Sequence, residues 1–173
     1  MYRFFPISGS MDLKAFSCEE EALTTYLHRY ALGNHKKGIA TCIVCQNAED
    51  RVVGFYAFSM AQVAKENLPP EAAKGIPNYP IGAIRIGRLA RDVSVKRQGV
   101  GELLLKDGLR KIAALGRTTD GSVPAFRFVL VDAKNEIAAQ FYEKFGFIRF
   151  VDKPGALVLP LATVAEAIRG PGA

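Results

Sequence analysis

Between Arg88 and Glu102 the chain reads Arg88-Leu89-Ala90-Arg91-Asp92-Val93-Ser94-Val95-Lys96-Arg97-Gln98-Gly99-Val100-Gly101-Glu102: an apolar-rich strand, a basic glycine-bearing turn, then a leucine-rich helix. A helix starting there turns its first unpaired N–H groups, and the positive end of its dipole, into the loop. That makes an anion cradle, and the glycines let a phosphate approach the backbone closely. The same residues would also make a ligand-free strand-to-helix turn, so the rest of the chain must decide between the two.

Two nucleotide patterns fail on this loop. No Gly-Lys-Ser/Thr follows a glycine at the Walker spacing, and Gly99-Val100-Gly101 is followed by Leu104 where a dinucleotide fingerprint needs glycine. The segment Lys96–Gly101 instead resembles the (Gln/Arg)-x-x-Gly-x-(Gly/Ala) loop of the GNAT family of N-acetyltransferases. Downstream, Asn135-Glu136-Ile137-Ala138-Ala139-Gln140-Phe141-Tyr142-Glu143-Lys144-Phe145-Gly146-Phe147 resembles that family's N-x-x-A-x-x-(F/L)-Y-x-(K/R)-x-G-F segment. Two motifs in the family's order imply acetyl-CoA as cosubstrate. The resemblance places its diphosphate on Lys96, Arg97, Gln98, Gly99, Val100 and Gly101. Its pantetheine arm falls along Leu89, Ala90, Arg91 and Val93, with Asn135 on that arm or on neighbouring backbone, and Tyr142 faces the sulfur. Lys96 and Arg97 depart from the usual pattern, which has Gln or Arg at the first position and often glycine at the second. Both keep positive charge, and Arg97 needs a backbone conformation that a β-carbon tolerates.

A closer resemblance spans about Ala15 to Leu161. Phe16-Ser17-Cys18, Arg29-Tyr30-Ala31-Leu32-Gly33-Asn34-His35-Lys36-Lys37-Gly38, Val52-Val53-Gly54-Phe55-Tyr56 and Gly87-Arg88-Leu89-Ala90 are similar to GNAT-type toxins of bacterial toxin–antitoxin modules. The implied acceptor is the α-amino group of aminoacyl-tRNA. The implied partner is an antitoxin with a ribbon-helix-helix DNA-binding domain, and a homodimer is expected by analogy. Two rivals stand beside it: a GNAT enzyme acting on a small amine or a protein N-terminus, and a non-catalytic module that binds CoA or nucleic acid.

The residues bear on that choice independently. A tyrosine with a reference pKa of ~10 is protonated at neutral pH and can supply a proton to a departing thiolate. From helix position alone, Tyr142 beside Phe141 and Phe145 would read as core; the motif makes it the catalytic candidate. No general base stands out, and His28 and His35 read as surface or capping residues. A lysine amine at ~10.4 is neutral only about once in a few thousand at pH 7, whereas an α-amine at ~7.7–8.0 is neutral about once in ten. An α-amine therefore suits a site without a strong base, with water, Glu66 or Asp92 as a supplementary acceptor. Arg29, Lys36 and Lys37, with Arg85 and Arg88 on the central strand, are the candidate tRNA contacts, positioning phosphates without reading sequence. For a single lysine, plain solvated surface is the competing reading.

These side chains need a scaffold. Ser17-Cys18-Glu19-Glu20 reads as a capping box for a helix carrying Leu23, Tyr26, Leu27, Tyr30 and Ala31, stopped at Gly33. Strands are expected around Ile39–Cys45 and Arg51–Val63, joined by Asn47-Ala48-Glu49-Asp50 as a hairpin. A short helix over Leu68–Gly75 begins at proline and ends at glycine. A long strand over Ile81–Val93, a helix from about Gly101 to Leu115 and a strand over Phe126–Val131 make a right-handed crossover. A helix over Asn135–Phe145, with Ile137, Ala138 and Phe141 inward, precedes strands at Gly146–Val151 and Ala156–Leu161 around Asp152-Lys153-Pro154-Gly155. A short helix then frays at Gly170-Pro171-Gly172. The fold class is mixed α/β (α+β), a mostly antiparallel sheet flanked by helices, in one domain over residues 1–173 with a core about 15–161 and a flexible tail.

Composition sets the outer limits. At 173 residues, 49% hydrophobic and 23% charged, the chain can bury a core without disulfide staples. A net charge of +6 favours polyanionic partners. No apolar run reaches the ~20 residues of a membrane helix, and the first residues lack a signal-peptide pattern, so the cytoplasm is the expected location. Cys42 and Cys45 form a C-x-x-C, but they lie in a β-rich run with no second Cys or His pair nearby. They read as core filler, and no metal is expected.

Overall fold

The computed structural model describes residues 1–153 and 155–170. In chain order the elements are β1 (Arg3–Pro6), α1 (Glu21–Arg29), α2 (Ala31–Lys36), β2 (Thr41–Gln46), β3 (Val52–Val63), α3 (Pro70–Ala73), β4 (Ile81–Arg91), α4 (Val100–Gly116), β5 (Phe128–Asp132), α5 (Glu136–Glu143), β6 (Ile148–Arg149), β7 (Ala156–Pro160) and α6 (Val164–Arg169). Short 3-10 turns occupy Lys65–Asn67, Val93–Val95 and Leu161–Thr163. The strands form a seven-stranded sheet of order β1-β2-β3-β4-β5-β7-β6. The β4–β5 pair is parallel, with α4 as its crossover; β1–β2, β2–β3, β5–β7 and β6–β7 are antiparallel. The mixed α/β, mostly antiparallel architecture is the one the sequence pattern implies. Among the described residues, no helix is long and apolar enough to cross a membrane.

The chain divides into two compact units, each made of discontinuous stretches: Met1–Ser59 with Gly87–Gly108, and Met60–Ile86 with Leu109–Ala173. In the first, Phe16, Tyr26, Leu27, Ala31, Cys42, Val44, Val52 and Phe55 form the core. Phe55 sits edge-on to Phe16 and stacks on Tyr26. In β2, four consecutive residues from Cys42 to Cys45 are buried, so both faces of the strand are covered and both cysteines fill core. The hairpin turn is built by Asn47, whose side-chain oxygen accepts from the N–H groups of Glu49 and Arg51, with Asp50 left-handed at φ 60°. In the second unit Val63, Leu68, Ala72, Ile76, Ala83, Phe128, Leu130 and Val158 pack together. Pro70 opens α3 and Gly75, at φ 75°, follows its end, as the sequence indicated.

Four local expectations are corrected. The chain joins the sheet at Arg3, earlier than a core starting near residue 15, and Ile7 is buried. The Ser17–Glu20 capping box does not form: α1 starts at Glu21 with no side-chain cap, because the backbone of Ser17 is bonded elsewhere. Gly33 does not stop the helix. It lies inside α2, and the chain turns at Gly38 (φ 70°) instead. In α5, Ile137 is 80% exposed, while Ala139 and Tyr142 face inward with Phe145. The helix is rolled so that Tyr142 itself, rather than Phe141, anchors the buried stripe. The expected turn at 152–155 includes Pro154, and the expected tail includes Pro171 and Gly172; these three lie outside the described residues.

Candidate active site

The anion loop belongs to the first unit. Strand β4 ends at Arg91, and the next residue, Asp92, is fully buried. Its carboxylate accepts hydrogen bonds from the Ser17 N–H (2.8 Å), the Ser94 N–H (2.9 Å) and the Ser94 hydroxyl (2.6 Å), with Arg51 at 3.4 Å. Burial pushes this carboxyl upward, but the bonds from Ser94 and Ser17 and the charge of Arg51 together hold it below the ordinary range. A carboxylate so fully engaged is a scaffold, which corrects its reading as a proton acceptor. Glu66 lies exposed on the Lys65–Asn67 turn.

From Asp92 the chain winds through Val93–Val95 and then makes two left-handed steps, Arg97 at φ 65° and Gly99 at φ 74°, before α4 begins at Val100. Glycine takes such a step freely, and Arg97 takes it with a β-carbon. The first turn of α4 leaves the amides of Val100, Gly101 and Glu102 without intrahelical acceptors. A β-carbon placed at Gly99 would meet nothing within 4 Å, so the loop is open there. Gln98 is tied down through the Tyr2 hydroxyl (2.9 Å). Lys96 reaches Glu19 at 2.5 Å, and Arg91 reaches the other oxygen of the same carboxylate at 3.2 Å. The N–H of Val93 is spent on the carbonyl of Ser17 (2.8 Å), which removes it from the donors expected for a pantetheine arm. Ala90 is buried and Leu89 partly so. Val100 is fully buried, which corrects its reading as a diphosphate contact. Gly101 is partly exposed, and its amide beside Lys96 and Arg97 fits a diphosphate.

On the same unit, Arg88 is exposed and stands over Tyr26, its guanidinium carbon 3.9 Å from the ring centroid. Arg29 closes α1, Lys36 closes α2 and Lys37 caps it; all three are exposed, and among the described residues none is ion-paired. His28 bonds the Phe16 carbonyl (2.9 Å), and His35 Nδ1 accepts from the Cys42 N–H (3.1 Å), so both histidines are structural ties where surface or capping residues were expected.

The second unit holds Arg85, Asn135 and Tyr142. Asn135 is the N-cap of α5, its side-chain oxygen accepting from the Ala138 N–H at 2.9 Å. Of the two uses expected for this residue, the structure displays the bond to neighbouring backbone. Tyr142 is 7% exposed, its ring edge-on to Phe141 and Phe147. Burial, reinforced by the charge of Asp132, pushes its phenol above the ordinary value, so it stays protonated. Arg85 is ion-paired with Asp132, which spends its charge within the chain and weakens its reading as a tRNA contact. Arg149 forks onto Glu136 and Glu143, a turn or two apart on α5, and fixes the roll of that helix. Sequence reasoning missed Glu19, Asp132 and Arg149, since each acts through a partner distant in sequence. Among the described residues, no three His, Cys, Asp or Glu side chains gather as a metal-binding group.

A curated relative from Mycobacterium tuberculosis (strain ATCC 25618 / H37Rv), named a tRNA-acetylating toxin, is 36% identical over 143 residues, 82% of this chain and 81% of the relative. The chain belongs to the tRNA-acetylating toxins. Two solved structures share the GNAT-toxin fold of this family. AtaT complexed with acetyl-methionyl-tRNAfMet matches with a TM-score of 0.84 and 26% identity, covering 96% of this chain and 98% of that one. AtaTR bound with AcCoA matches with a TM-score of 0.80 and 26% identity, covering 95% and 96%. No family model matches the chain. Membership of the tRNA-acetylating toxins agrees with both motifs from which the resemblance was drawn.

Proposed function

We propose that this chain is an acetyl-CoA-dependent N-acetyltransferase that acetylates the α-amino group of aminoacyl-tRNA and thereby blocks translation. The observation that carries the reading is the turn from Lys96 to Gly101. Two left-handed steps and two cations there stand at the N-terminus of a seventeen-residue helix. Support also comes from the relative, named for tRNA acetylation, and from AtaT, seen with an acetylated methionyl-tRNA.

Lys96, Arg97 and the amides of Gly99 and Gly101 take the diphosphate; Gln98 stiffens the turn; Leu89, Ala90 and Arg91 offer strand backbone to the pantetheine arm. The neutral α-amine attacks the thioester carbonyl, forming the C–N bond. As the tetrahedral adduct collapses, the C–S bond breaks, the thiolate takes the proton of the Tyr142 hydroxyl, and solvent returns a proton to the phenolate. The amine's surplus proton leaves to water, which suffices for an acceptor that is about one-tenth neutral at pH 7. Arg29, Lys36, Lys37 and Arg88 hold tRNA phosphates. Such a toxin works in the cytoplasm as a homodimer and is neutralised by a ribbon-helix-helix antitoxin.

The test is incubation of the purified chain, and of Tyr142→Phe, with labelled acetyl-CoA and a mixture of charged and uncharged tRNA. Label on charged tRNA only, lost in the variant, is the expected result. Label on a small amine with none on tRNA overturns the reading.

A further inference from the structure

Glu19 stands beside the anion loop for a structural reason. The segment before α1 is pinned to the end of β4 by two backbone bonds of Ser17, its N–H to Asp92 and its carbonyl to the Val93 N–H, each 2.8 Å. Cys18 ties the same segment to α1, its N–H donating to the Thr24 hydroxyl at 3.0 Å. Glu19 therefore leaves the backbone at a fixed place, and its carboxylate divides between Lys96 Nζ (2.5 Å) and a terminal nitrogen of Arg91 (3.2 Å). It is half exposed, while Arg91 is only 25% exposed and its second terminal nitrogen is buried without a hydrogen-bond partner. The bond from Lys96 and the charge of Arg91 hold the Glu19 carboxyl below the usual carboxylate range.

We infer that Glu19 is a resident counter-anion of the coenzyme site, with which the diphosphate of acetyl-CoA competes for Lys96, so that Glu19 lowers the affinity for coenzyme. This rests on the reading that Lys96–Gly101 receives that diphosphate. One carboxylate oxygen holds Lys96, a cation of the diphosphate loop, and the other holds the neighbouring Arg91, whose second terminal nitrogen is buried. Coenzyme phosphate reaches Lys96 in competition with this carboxylate, since the lysine side chain is 56% exposed and its ammonium shares its three N–H donors between them. It carries more charge and more acceptor oxygens, so it wins the exchange, but at reduced net affinity. The opposite role, a template orienting the two cations for phosphate, predicts the opposite sign.

The experiment compares wild type, Glu19→Gln and Lys96→Ala/Arg91→Ala in calorimetric binding of CoA. It also measures KM for acetyl-CoA and for acetyl-pantetheine, which lacks the diphosphate. Glu19→Gln should tighten CoA about three- to tenfold, the scale of releasing two partly exposed ion pairs. The ratio of KM for acetyl-pantetheine to KM for acetyl-CoA should rise by the same factor, a selectivity that a general change in stability would not produce. Unchanged or weakened CoA binding in Glu19→Gln overturns the inference. If the double variant lowers the KM ratio in that case, the diphosphate reading survives alone. If the double variant leaves the ratio unmoved, the diphosphate reading fails and the inference with it.

Discussion

Asp92 accepts the backbone N–H of Ser17, 75 residues earlier, at 2.8 Å, and thereby joins the segment before α1 to the turn that leads into the anion loop. Asparagine at this position would present an amide N–H₂ to donors that need an acceptor. Asp92→Asn should cost about 2–3 kcal/mol, the range for losing hydrogen bonds to a buried charge. The pH dependence has a definite sign. The folded-state carboxyl is held below its unfolded value, so its contribution is complete above the unfolded pKa of ~3.9 and is lost as pH falls through the folded one. The stability gap between wild type and variant, measured by urea unfolding, should be constant from about pH 5 to 8 and close below about pH 4.

Tyr142→Phe keeps the ring against Phe141 and Phe147 and removes only the hydroxyl. Acetyl transfer should fall about 10²–10⁴-fold, the scale of a general acid, with CoA binding within a factor of about three. Since burial and the charge of Asp132 raise the phenol, its deprotonation should not shape the wild-type profile at working pH. The rate at subsaturating acceptor should climb with pH to a plateau set by the acceptor amine, with no falling limb below about pH 10. A falling limb near pH 8 would exclude Tyr142 as the acid.

Local signals carried most of the fold and the two motifs. Proline and glycine bracketed α3, Asn47 and Asp50 marked the hairpin, and the leucine stripe of α4 gave its buried face. Hidden from the sequence were relationships between distant residues. Ser17 looked like an N-cap because serine followed by glutamate three residues later usually is one; its backbone was instead claimed by Asp92. Arg85 looked like a free cation because its partner Asp132 lies on a neighbouring strand. The roll of α5 was misjudged because Ile137 and Phe141 are more apolar than Tyr142. Helix position already marks Tyr142 as core, but the exposure of Ile137 is an outcome of tertiary packing that helical periodicity does not encode.

Lys36→Glu with Lys37→Glu should weaken acetylation of charged tRNA while CoA binding stays within a factor of about two, since both lysines sit exposed at the end of α2. If each lysine meets a phosphate, the slope of log affinity for tRNA against log salt should flatten by about two units. Filter binding across salt concentrations gives the slope. Unchanged slope and unchanged acetylation would return these lysines to plain solvated surface.

Thiol chemistry separates the three cysteines. Burial pushes the Cys42 thiol up to about 12, and burial with the charge of Asp107 pushes Cys45 up to about 11; Cys18 is partly exposed. At pH 7.5 a maleimide should add once to the native chain, at Cys18, and three times after denaturation in guanidinium, read by intact mass. Chelator should not change either number. Rapid modification of Cys42 or Cys45 in the native chain would contradict their placement in the core of β2.

Arg97 offers a way to separate charge from backbone at the anion loop. It holds a left-handed step, φ 65°, that costs a residue with a β-carbon about 1–2 kcal/mol. Arg97→Gly should relieve that strain and raise stability by about 1 kcal/mol, whereas Arg97→Ala keeps the β-carbon and should not. Both variants lose the same positive charge, so both should weaken CoA, and by similar factors. Thermal unfolding and calorimetry on the pair resolve the two effects. If Arg97→Gly binds CoA as tightly as wild type while Arg97→Ala does not, the turn matters to the coenzyme through its backbone path. The guanidinium would then have no part in holding phosphate.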